Sequence, residues 1–344
     1  MVTETFKLDL ALQGGGAHGA FTWGVLDRLL EEEAIEPASV SGASAGAMNA
    51  SVLASGLVSG GADEAKARLW SFWKAVNRAA RTSNPALQAA EAFPQFFAAS
   101  AAWWSLFHGG HVDWHPSPEA GRYAQSLLRD VVNDHVDFKA LKDKLAPRLF
   151  VSATEARSGQ ARIFRNADLT DDAILASACL PMAFPAVKID DVDYWDGGYS
   201  ANPPLFPLIT ESPQDDLLLV TVNPITRSDD ATTPREITER ISEMNFNQSL
   251  RKDIRAICVM KEALGDEIAK SAPPLVRAIH RLNIHEIHDA AEFEKIDPRT
   301  KLMPEWGLLT HLHEVGRSAT DDWLRTSRRD LGKRSSVDLA ERYL

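Results

Sequence analysis

The amino-acid sequence predicts an α/β fold in which a central, mainly parallel sheet is flanked by helices. The first sixty residues alternate twice between a short apolar strand, a turn with glycines and a helix. This alternation is typical of parallel strands that are joined by crossover helices. Two further apolar segments, residues 148–154 and 217–222, are predicted to add buried strands to the same sheet.

The elements of the N-terminal part follow from the spacing of apolar residues. Every second residue is apolar in segment 6–12, which predicts the first strand. The apolar residues of segment 21–30 recur at helical spacing, which predicts an amphipathic helix. A short second strand is predicted around Val40, and a second helix over about 47–55.

The pattern of the remaining chain predicts one large domain with a helical insertion and a C-terminal region. Residues 60–145 are predicted to form a mainly helical insertion that is rich in aromatic residues, and residues 187–195 a hairpin. After Thr226 the chain is polar and helical in pattern, without a recognisable motif. We therefore expect a catalytic domain over 1–225, and a mainly helical C-terminal region over 226–344 that packs on the same domain.

Composition and charge restrict the class of protein. The 344 residues carry a formal net charge of -11, which argues against broad attraction to nucleic acid or to anionic membranes. The two cysteines, Cys179 and Cys258, provide no disulfide framework, so a reducing compartment is expected. The N-terminus lacks the apolar core of a signal peptide, and no apolar run reaches the roughly 18 residues of a membrane span. We expect a cytoplasmic protein that contacts a membrane only peripherally.

A serine lies where the second predicted strand meets the second predicted helix. Ser44 is flanked by Gly42 and Gly46 and by the small residues Ala43 and Ala45. A serine in this context occupies a sharp turn that presents its hydroxyl at the N-terminus of a helix, where free N–H groups favour an oxyanion. The pentapeptide alone is equally consistent with a plain connecting loop.

The glycine run after the first strand has two interpretations. Consecutive glycines expose backbone N–H groups, so Gly14, Gly15 and Gly16 are candidates for an oxyanion hole that faces Ser44. Residues 14–19 also match the Gly-x-Gly-x-x-Gly pattern of dinucleotide-binding proteins. That pattern requires an acidic residue at the end of the second strand, and here the strand ends in small residues, which disfavours the nucleotide site.

A serine nucleophile needs a base, and the best candidate is an aspartate. None of the ten histidines follows a strand with the spacing of a hydrolase triad. Asp196 follows the predicted hairpin strand, and the next residues, Gly197 and Gly198, permit close approach of another backbone. An aspartate within hydrogen-bond distance of Ser44 could accept its proton. Asp-Gly-Gly alone is also a common turn sequence.

Together these motifs resemble the patatin-like phospholipase family. The resemblance covers about residues 7–208 and is specific because three motifs agree in order and spacing: Gly14-Gly15-Gly16-Ala17-His18-Gly19, Gly42-Ala43-Ser44-Ala45-Gly46 and Asp196-Gly197-Gly198. Additional matching segments are Ala176-Ser177-Ala178-Cys179-Leu180-Pro181 and Asn202-Pro203-Pro204.

The resemblance implies a three-layer fold and a lipid acyl hydrolase without metal or other cofactor. It implies that Ser44 and Asp196 form a catalytic dyad, and that the backbone of the glycine run forms the oxyanion hole: Gly14, Gly15, Gly16 and Ala17. The expected partner is a lipid or another acyl ester, with no nucleic acid. Two alternatives remain open, an acyltransferase with the same dyad and a nucleotide-binding module.

His18 departs from the family pattern, because relatives often carry arginine or lysine at this position. The change replaces a permanent charge with a titrating one. We therefore expect one of two roles for His18: it modulates the site, with protonation near its reference pKa of about 6.5, or it points away and only packs against the helix after the turn.

Other conspicuous residues are interpreted as structural. No histidine or acidic cluster has a complete ligand set at a recognised metal spacing. The residues considered are His108, His111, His115, His285, His288, His311, His313, Asp190, Asp191 and Asp193. Trp103 and Trp104 could form a lid over an acyl pocket or an anchor at a lipid interface, but packing within the helical insertion is as good an explanation.

Overall fold

The computed structural model describes residues 5–83, 118–228, 230–265, 269 and 271–344. Within these residues eight strands form one sheet: β1 (Phe6–Leu12), β2 (Ile35–Ala43), β3 (Arg148–Glu155), β4 (Ala161–Arg165), β5 (Val187–Ile189), β6 (Val192–Asp196), β7 (Asp216–Val220) and β8 (Asn283–Ile287). The helices of the described residues are α1 (Gly19–Leu29), α2 (Ala45–Ser83), α3 (Pro118–His135), α4 (Asp171–Ser177), α5 (Phe206–Glu211), α6 (Pro234–Leu264), α7 (Pro274–Arg281), α8 (Ala290–Lys295), α9 (Trp306–Thr326) and α10 (Leu339–Tyr343).

The sheet is mixed, with mostly parallel strands at its centre. Its strand order is β5-β6-β3-β2-β1-β7-β8, and β4 also pairs with β3. The four pairs from β3 to β8 are parallel, whereas β6, β5 and β4 are antiparallel additions. The predicted α/β fold with a mainly parallel sheet is therefore confirmed.

Both faces of the sheet are covered, so the fold has three layers. Leu8 and Leu10 of β1 belong to a core that includes α1 and α2, whereas Ala11 and Leu219 belong to a second core that includes α5 and α6. Successive side chains of a strand point to opposite faces, which explains how neighbouring residues enter different cores. None of the described helices is long and apolar enough to cross a membrane.

Several elements differ from the sequence expectation. The second helix runs on to Ser83, with non-helical backbone at Gly60 and Gly61. Strand β4 was not predicted, and β8 lies in the region that was expected to be mainly helical. The short β8 carries polar residues at buried positions, and these residues contact partners that are distant in sequence. His285 Nε2, for example, lies 3.0 Å from the Asp216 carboxylate. Part of the predicted helical insertion, with Trp103 and Trp104, lies outside the described residues.

Candidate active site

Ser44 occupies a strained turn between β2 and α2. Its φ of 53° lies in the left-handed region, which is unusual for a residue with a side chain. The turn is tight, because a Cβ atom on Gly46 would lie 2.1 Å from the carbonyl oxygen of Leu12. The Ser44 N–H donates to Ser177 Oγ at 2.9 Å, and the Ser44 carbonyl accepts the Met48 N–H at 3.1 Å. The turn thus holds the hydroxyl at the N-terminus of α2.

Asp196 ends β6 and is fully buried. Its Oδ1 accepts the Gly198 N–H at 2.7 Å, which fixes the orientation of the carboxyl group. Its own N–H donates to the Cys179 carbonyl at 2.8 Å, and its carbonyl accepts the Thr154 hydroxyl at 2.7 Å. Hydrogen bonds therefore hold both the backbone and the side chain of Asp196 in place.

The surroundings of Asp196 raise its affinity for a proton. Burial raises the pKa of Asp196 to about 7, although the Gly198 N–H and the Ser44 hydroxyl both lower it. The second carboxylate oxygen, Oδ2, is buried and has no fully formed hydrogen bond within the described residues. The Ser44 hydroxyl is thus near enough to lower the pKa of the carboxyl group, although the described residues form no hydrogen bond to Oδ2.

The glycine run lies directly against Ser44. A Cβ atom on Gly14 would lie 2.8 Å from Ser44 Cβ and 2.6 Å from the Ala43 carbonyl oxygen. Residues Gly16–His18 form a single 3-10 turn, and Gly16 has a φ of +58°. Only glycine fits these positions without a shift of the neighbouring backbone.

The structure corrects the set of oxyanion donors expected from the sequence. The Gly14 N–H donates to Asn202 Oδ1 at 2.7 Å, so this donor is already engaged. The N–H groups of Gly15, Gly16 and Ala17 have no acceptor in the described part of the chain. The Gly14 N–H therefore holds the turn, and the N–H groups of the following three residues remain the candidate donors to an oxyanion.

The expected titration of His18 near neutrality is wrong. His18 is buried, and its Nε2 lies 2.8 Å from Thr300 Oγ1. Burial lowers the pKa of His18 to about 3, and the charges of Lys301 and Arg227 add to this effect. The imidazole is therefore neutral throughout the physiological range.

Comparison with known proteins places this site in a family. The sequence model of the family described as patatin-like phospholipase matches residues 10–209, which is more than half of the chain. The chain belongs to the patatin-like phospholipase family. Membership in this family supports the activity of a lipid acyl hydrolase.

Curated proteins and solved structures add little to this assignment. No curated protein matches significantly. VipD from Legionella pneumophila is 12% identical with a TM-score of 0.35, over 98% of this chain and 72% of that one. Full-length ExoU from the type III secretion system of Pseudomonas aeruginosa, solved with SpcU, is 14% identical with a TM-score of 0.31, over 88% and 71%. Because both TM-scores are low, the assignment rests on the family match.

A network of side-chain amides holds the glycine run in this patatin-like chain. The Gly14 carbonyl accepts from Asn223 Nδ2 at 2.8 Å, opposite the contact that its N–H makes with Asn202. Gln13 Oε1 accepts the Asn223 N–H at 3.0 Å, and Gln13 Nε2 donates to Asn247 Oδ1 at 3.0 Å. Among these residues Asn202 belongs to a motif noted in the sequence. The others form contacts between distant segments and had no sequence signal.

An apolar cavity of about 280 Å³ is lined in part by residues that are close to Asp196 in sequence, although neither Ser44 nor Asp196 lines it. Trp195 immediately precedes Asp196, and Tyr199 follows it by three residues; both line the cavity together with Met182. The Tyr199 ring lies 5.1 Å from the Phe246 ring, centroid to centroid, and Phe246 packs on Gly198. Asp196 itself is fully buried, so the cavity lies near the candidate dyad without including either of its residues.

The residues considered for metal binding have other surroundings. Within the described ranges, no three His, Cys, Asp or Glu side chains form a group that could hold an ion. His311 lies 2.7 Å from Glu292, and His313 lies 3.3 Å from Asp27. Asp190 and Asp191 form the positive-φ turn of the β5–β6 hairpin. His108, His111 and His115 lie outside the described residues.

Proposed function

We propose that this chain hydrolyses acyl esters of lipids, as a phospholipase A, a lysophospholipase or a lipid esterase, through a Ser44–Asp196 dyad. The observation that carries the proposal is a serine in a left-handed turn at a helix N-terminus, together with a buried carboxyl group whose pKa is lowered by the Ser44 hydroxyl. Family membership supports the class of substrate. The finer assignment of the two residues rests on their geometry.

Acylation uses the dyad as nucleophile and base. Ser44 Oγ attacks the ester carbonyl carbon while its proton moves to the Asp196 carboxylate. The carbonyl oxygen gains negative charge, and the available N–H groups of the glycine turn are the donors that stabilise it. When the intermediate collapses, the carbon–oxygen bond to the leaving alcohol breaks, and Asp196 returns the proton to that alcohol.

Deacylation repeats these steps with water. Asp196 accepts a proton from the attacking water, and a second tetrahedral intermediate forms on the same carbonyl carbon. Its collapse releases the fatty acid and returns the proton to Ser44 Oγ. A pKa of about 7 suits this exchange, because the carboxyl group must accept and release a proton near neutral pH.

The surroundings of the dyad favour an apolar acyl group. The candidate surface for the acyl chain is the cavity lined by Met182, by Trp195, which precedes Asp196, and by Tyr199. Such surfaces gain free energy when they bury hydrocarbon, at about 25 cal/mol per Å² of apolar area removed from water. The net charge of -11 favours uncharged or zwitterionic lipid surfaces over anionic ones.

The test is a panel of phospholipids, lysophospholipids, neutral lipids and p-nitrophenyl esters, with wild type, Ser44→Ala and the control Ser39→Ala. Ser39 is buried in the same strand but has extended backbone. We expect Ser44→Ala to lose at least about 1000-fold in turnover with its fold intact, and Ser39→Ala to stay within about threefold. Retention of activity in Ser44→Ala would refute the nucleophile. Product analysis with an added alcohol distinguishes hydrolysis from acyl transfer.

A further inference from the structure

The outer side of the glycine turn is covered by the C-terminal region. A Cβ atom on Gly16 would lie 2.2 Å from the Lys301 carbonyl oxygen, so the two backbones are in direct contact. Lys301 belongs to a 3-10 turn, Pro298–Leu302, which lies about 285 residues later in the sequence. No motif marks this segment, yet it borders the three residues that carry the available N–H donors.

Thr300 determines which ring nitrogen of His18 carries the proton. The Thr300 hydroxyl donates its hydrogen to the Asp297 carbonyl oxygen at 2.7 Å. Because a hydroxyl has one hydrogen, Thr300 Oγ1 can only accept in its 2.8 Å contact with His18 Nε2. The imidazole is therefore the Nε2–H tautomer, and its buried Nδ1 is left without a partner within the described residues.

The ring of His18 is held by more than this bond. Its centroid lies 5.5 Å from that of Phe293, and the ring is almost completely buried. The charges of Lys301 and Arg227 disfavour a second proton on the ring, whereas Asp297 favours it. The neutral ring thus has one tautomer and one position.

The position of this ring bears on the oxyanion donors through the backbone. His18 ends the 3-10 turn, and its N–H donates to the Gly15 carbonyl oxygen at 3.2 Å. A rotation of His18 would turn the peptide groups between these two residues, which carry the N–H groups of Gly16 and Ala17. Displacements of about 1 Å in such donors cost large factors in rate.

We propose that Thr300 is a positioning residue for the oxyanion turn, and that it acts through the Nε2–H tautomer of His18. The inference rests on the proposed function and extends it, because it assigns part of the C-terminal region to the catalytic machinery. Within the described residues, Thr300 forms no hydrogen bond with Ser44 or Asp196. It fixes the turn that presents the donors.

The experiment compares Thr300→Val, Thr300→Ser and the control Thr310→Val. Valine keeps the shape of threonine and removes the acceptor, whereas serine keeps the hydroxyl. Thr310 donates to the Trp306 carbonyl at 2.9 Å within α9, in a side-chain contact of the same type outside the turn. We expect Thr300→Val to lower kcat about tenfold with KM within twofold, and the other two variants to stay near wild type.

A second readout reports the tautomer without depending on activity. Nitrogen-15 NMR of the histidine side chains should show a protonated Nε2 and an unprotonated Nδ1 for His18 in wild type and in Thr300→Ser. We expect Thr300→Val to lose this signature, because the buried Nε2–H would have no acceptor. Should circular dichroism show that Thr300→Val is unfolded, Thr300→Ala carries the same expectations.

The outcomes separate the two proposals. A wild-type protein without Ser44-dependent hydrolysis overturns the proposed function, and with it the catalytic role of Thr300. A Ser44-dependent hydrolase whose hydroxyl-free Thr300 variants keep the wild-type kcat overturns the inference alone. An Nδ1–H tautomer in wild type, or a failure of Thr300→Ser to preserve kcat, also overturns it.

Discussion

Two serine–aspartate pairs involve strand β2, and they differ in backbone conformation. Ser44 follows the strand, and its hydroxyl lowers the pKa of Asp196. Ser39 lies within the strand, where the Ser212 and Ser39 hydroxyls lower the pKa of Asp9 of β1. Ser44 comes five positions after Ser39, which is roughly 16 Å along the direction of β2. Both aspartates are buried, and burial raises the pKa of Asp9 to about 6 and that of Asp196 to about 7.

The difference lies in what each hydroxyl can reach. Ser39 Oγ donates to Ser212 Oγ at 3.0 Å inside the fold, and its backbone is extended. Ser44 has a φ of 53°, stands at a helix N-terminus and contacts the glycine run. A buried aspartate with a raised pKa near a serine does not by itself indicate catalysis. The strained turn and the neighbouring donors indicate it.

The sharpest test of this comparison replaces each aspartate with asparagine. We expect Asp196→Asn to lower kcat/KM by about 10² to 10⁴, because an amide cannot accept the serine proton. Asp9→Asn should stay within about threefold of wild type. Steady-state assays on the best ester of the panel measure both. Equal losses in the two variants would indicate a structural effect and contradict the assignment of the base.

A smaller effect is expected from the contact between the glycine run and Ser44. Gly14→Ala places a methyl group 2.8 Å from Ser44 Cβ, so the turn must shift. We expect a loss in kcat of about 10- to 100-fold. Gly307→Ala is the control, because a Cβ atom there meets nothing within 4 Å. Activity of Gly14→Ala close to that of Gly307→Ala would show that the run does not constrain the nucleophile.

The same contrast explains how much the sequence could predict. The candidates Ser44 and Asp196 could be selected from the sequence, because glycines next to each residue and apolar alternation in the preceding strands are local signals. Local signals could not show that the Gly14 N–H is engaged by Asn202, a contact across 188 residues. Nor could they predict that Thr300 reaches His18, or that β8 joins the sheet. These features depend on segments that meet only in the folded chain.

The pH dependence should follow the Asp196 carboxyl group. It must be ionised to accept the serine proton, so we expect kcat/KM to rise with pH through about 7 and to fall about tenfold per pH unit well below it. Cys179 and Tyr199 face the same carboxyl group; burial raises the pKa of Cys179 to about 12 and also raises that of Tyr199, so both are neutral in this range. With a pKa of about 3, His18 adds no inflection near neutrality.

A pH–rate profile of wild type and His18→Gln measures this dependence. The inflection near 7 should be present in both, even if the level of activity differs. An inflection that disappears with His18 would assign the titration to the imidazole and contradict its burial. A profile that is flat from pH 5 to 8 would contradict the role of Asp196 as base.

The smallest expected effect is on stability. The substitution Asp196→Asn, which is expected to lower activity, is expected to raise the free energy of unfolding. The pKa of Asp196 is about 7 in the folded chain and near 3.8 when it is unfolded, so the folded state binds the proton more tightly. The stability that this proton provides is complete below pH 3.8 and is lost as the pH rises through about 7.

Asparagine carries no charge at any pH and can still accept the Gly198 N–H through its oxygen. We therefore expect Asp196→Asn to gain about 1 to 3 kcal/mol over wild type between pH 5 and pH 8, measured as the free energy of unfolding in urea. Asp9→Asn should show the same trend with its midpoint nearer 6, because its raised pKa has the same cause. If Asp196→Asn gained no stability relative to wild type over this range while Asp9→Asn did, the carboxyl group of Asp196 would be well solvated, and the two pairs would differ in burial as well as in backbone.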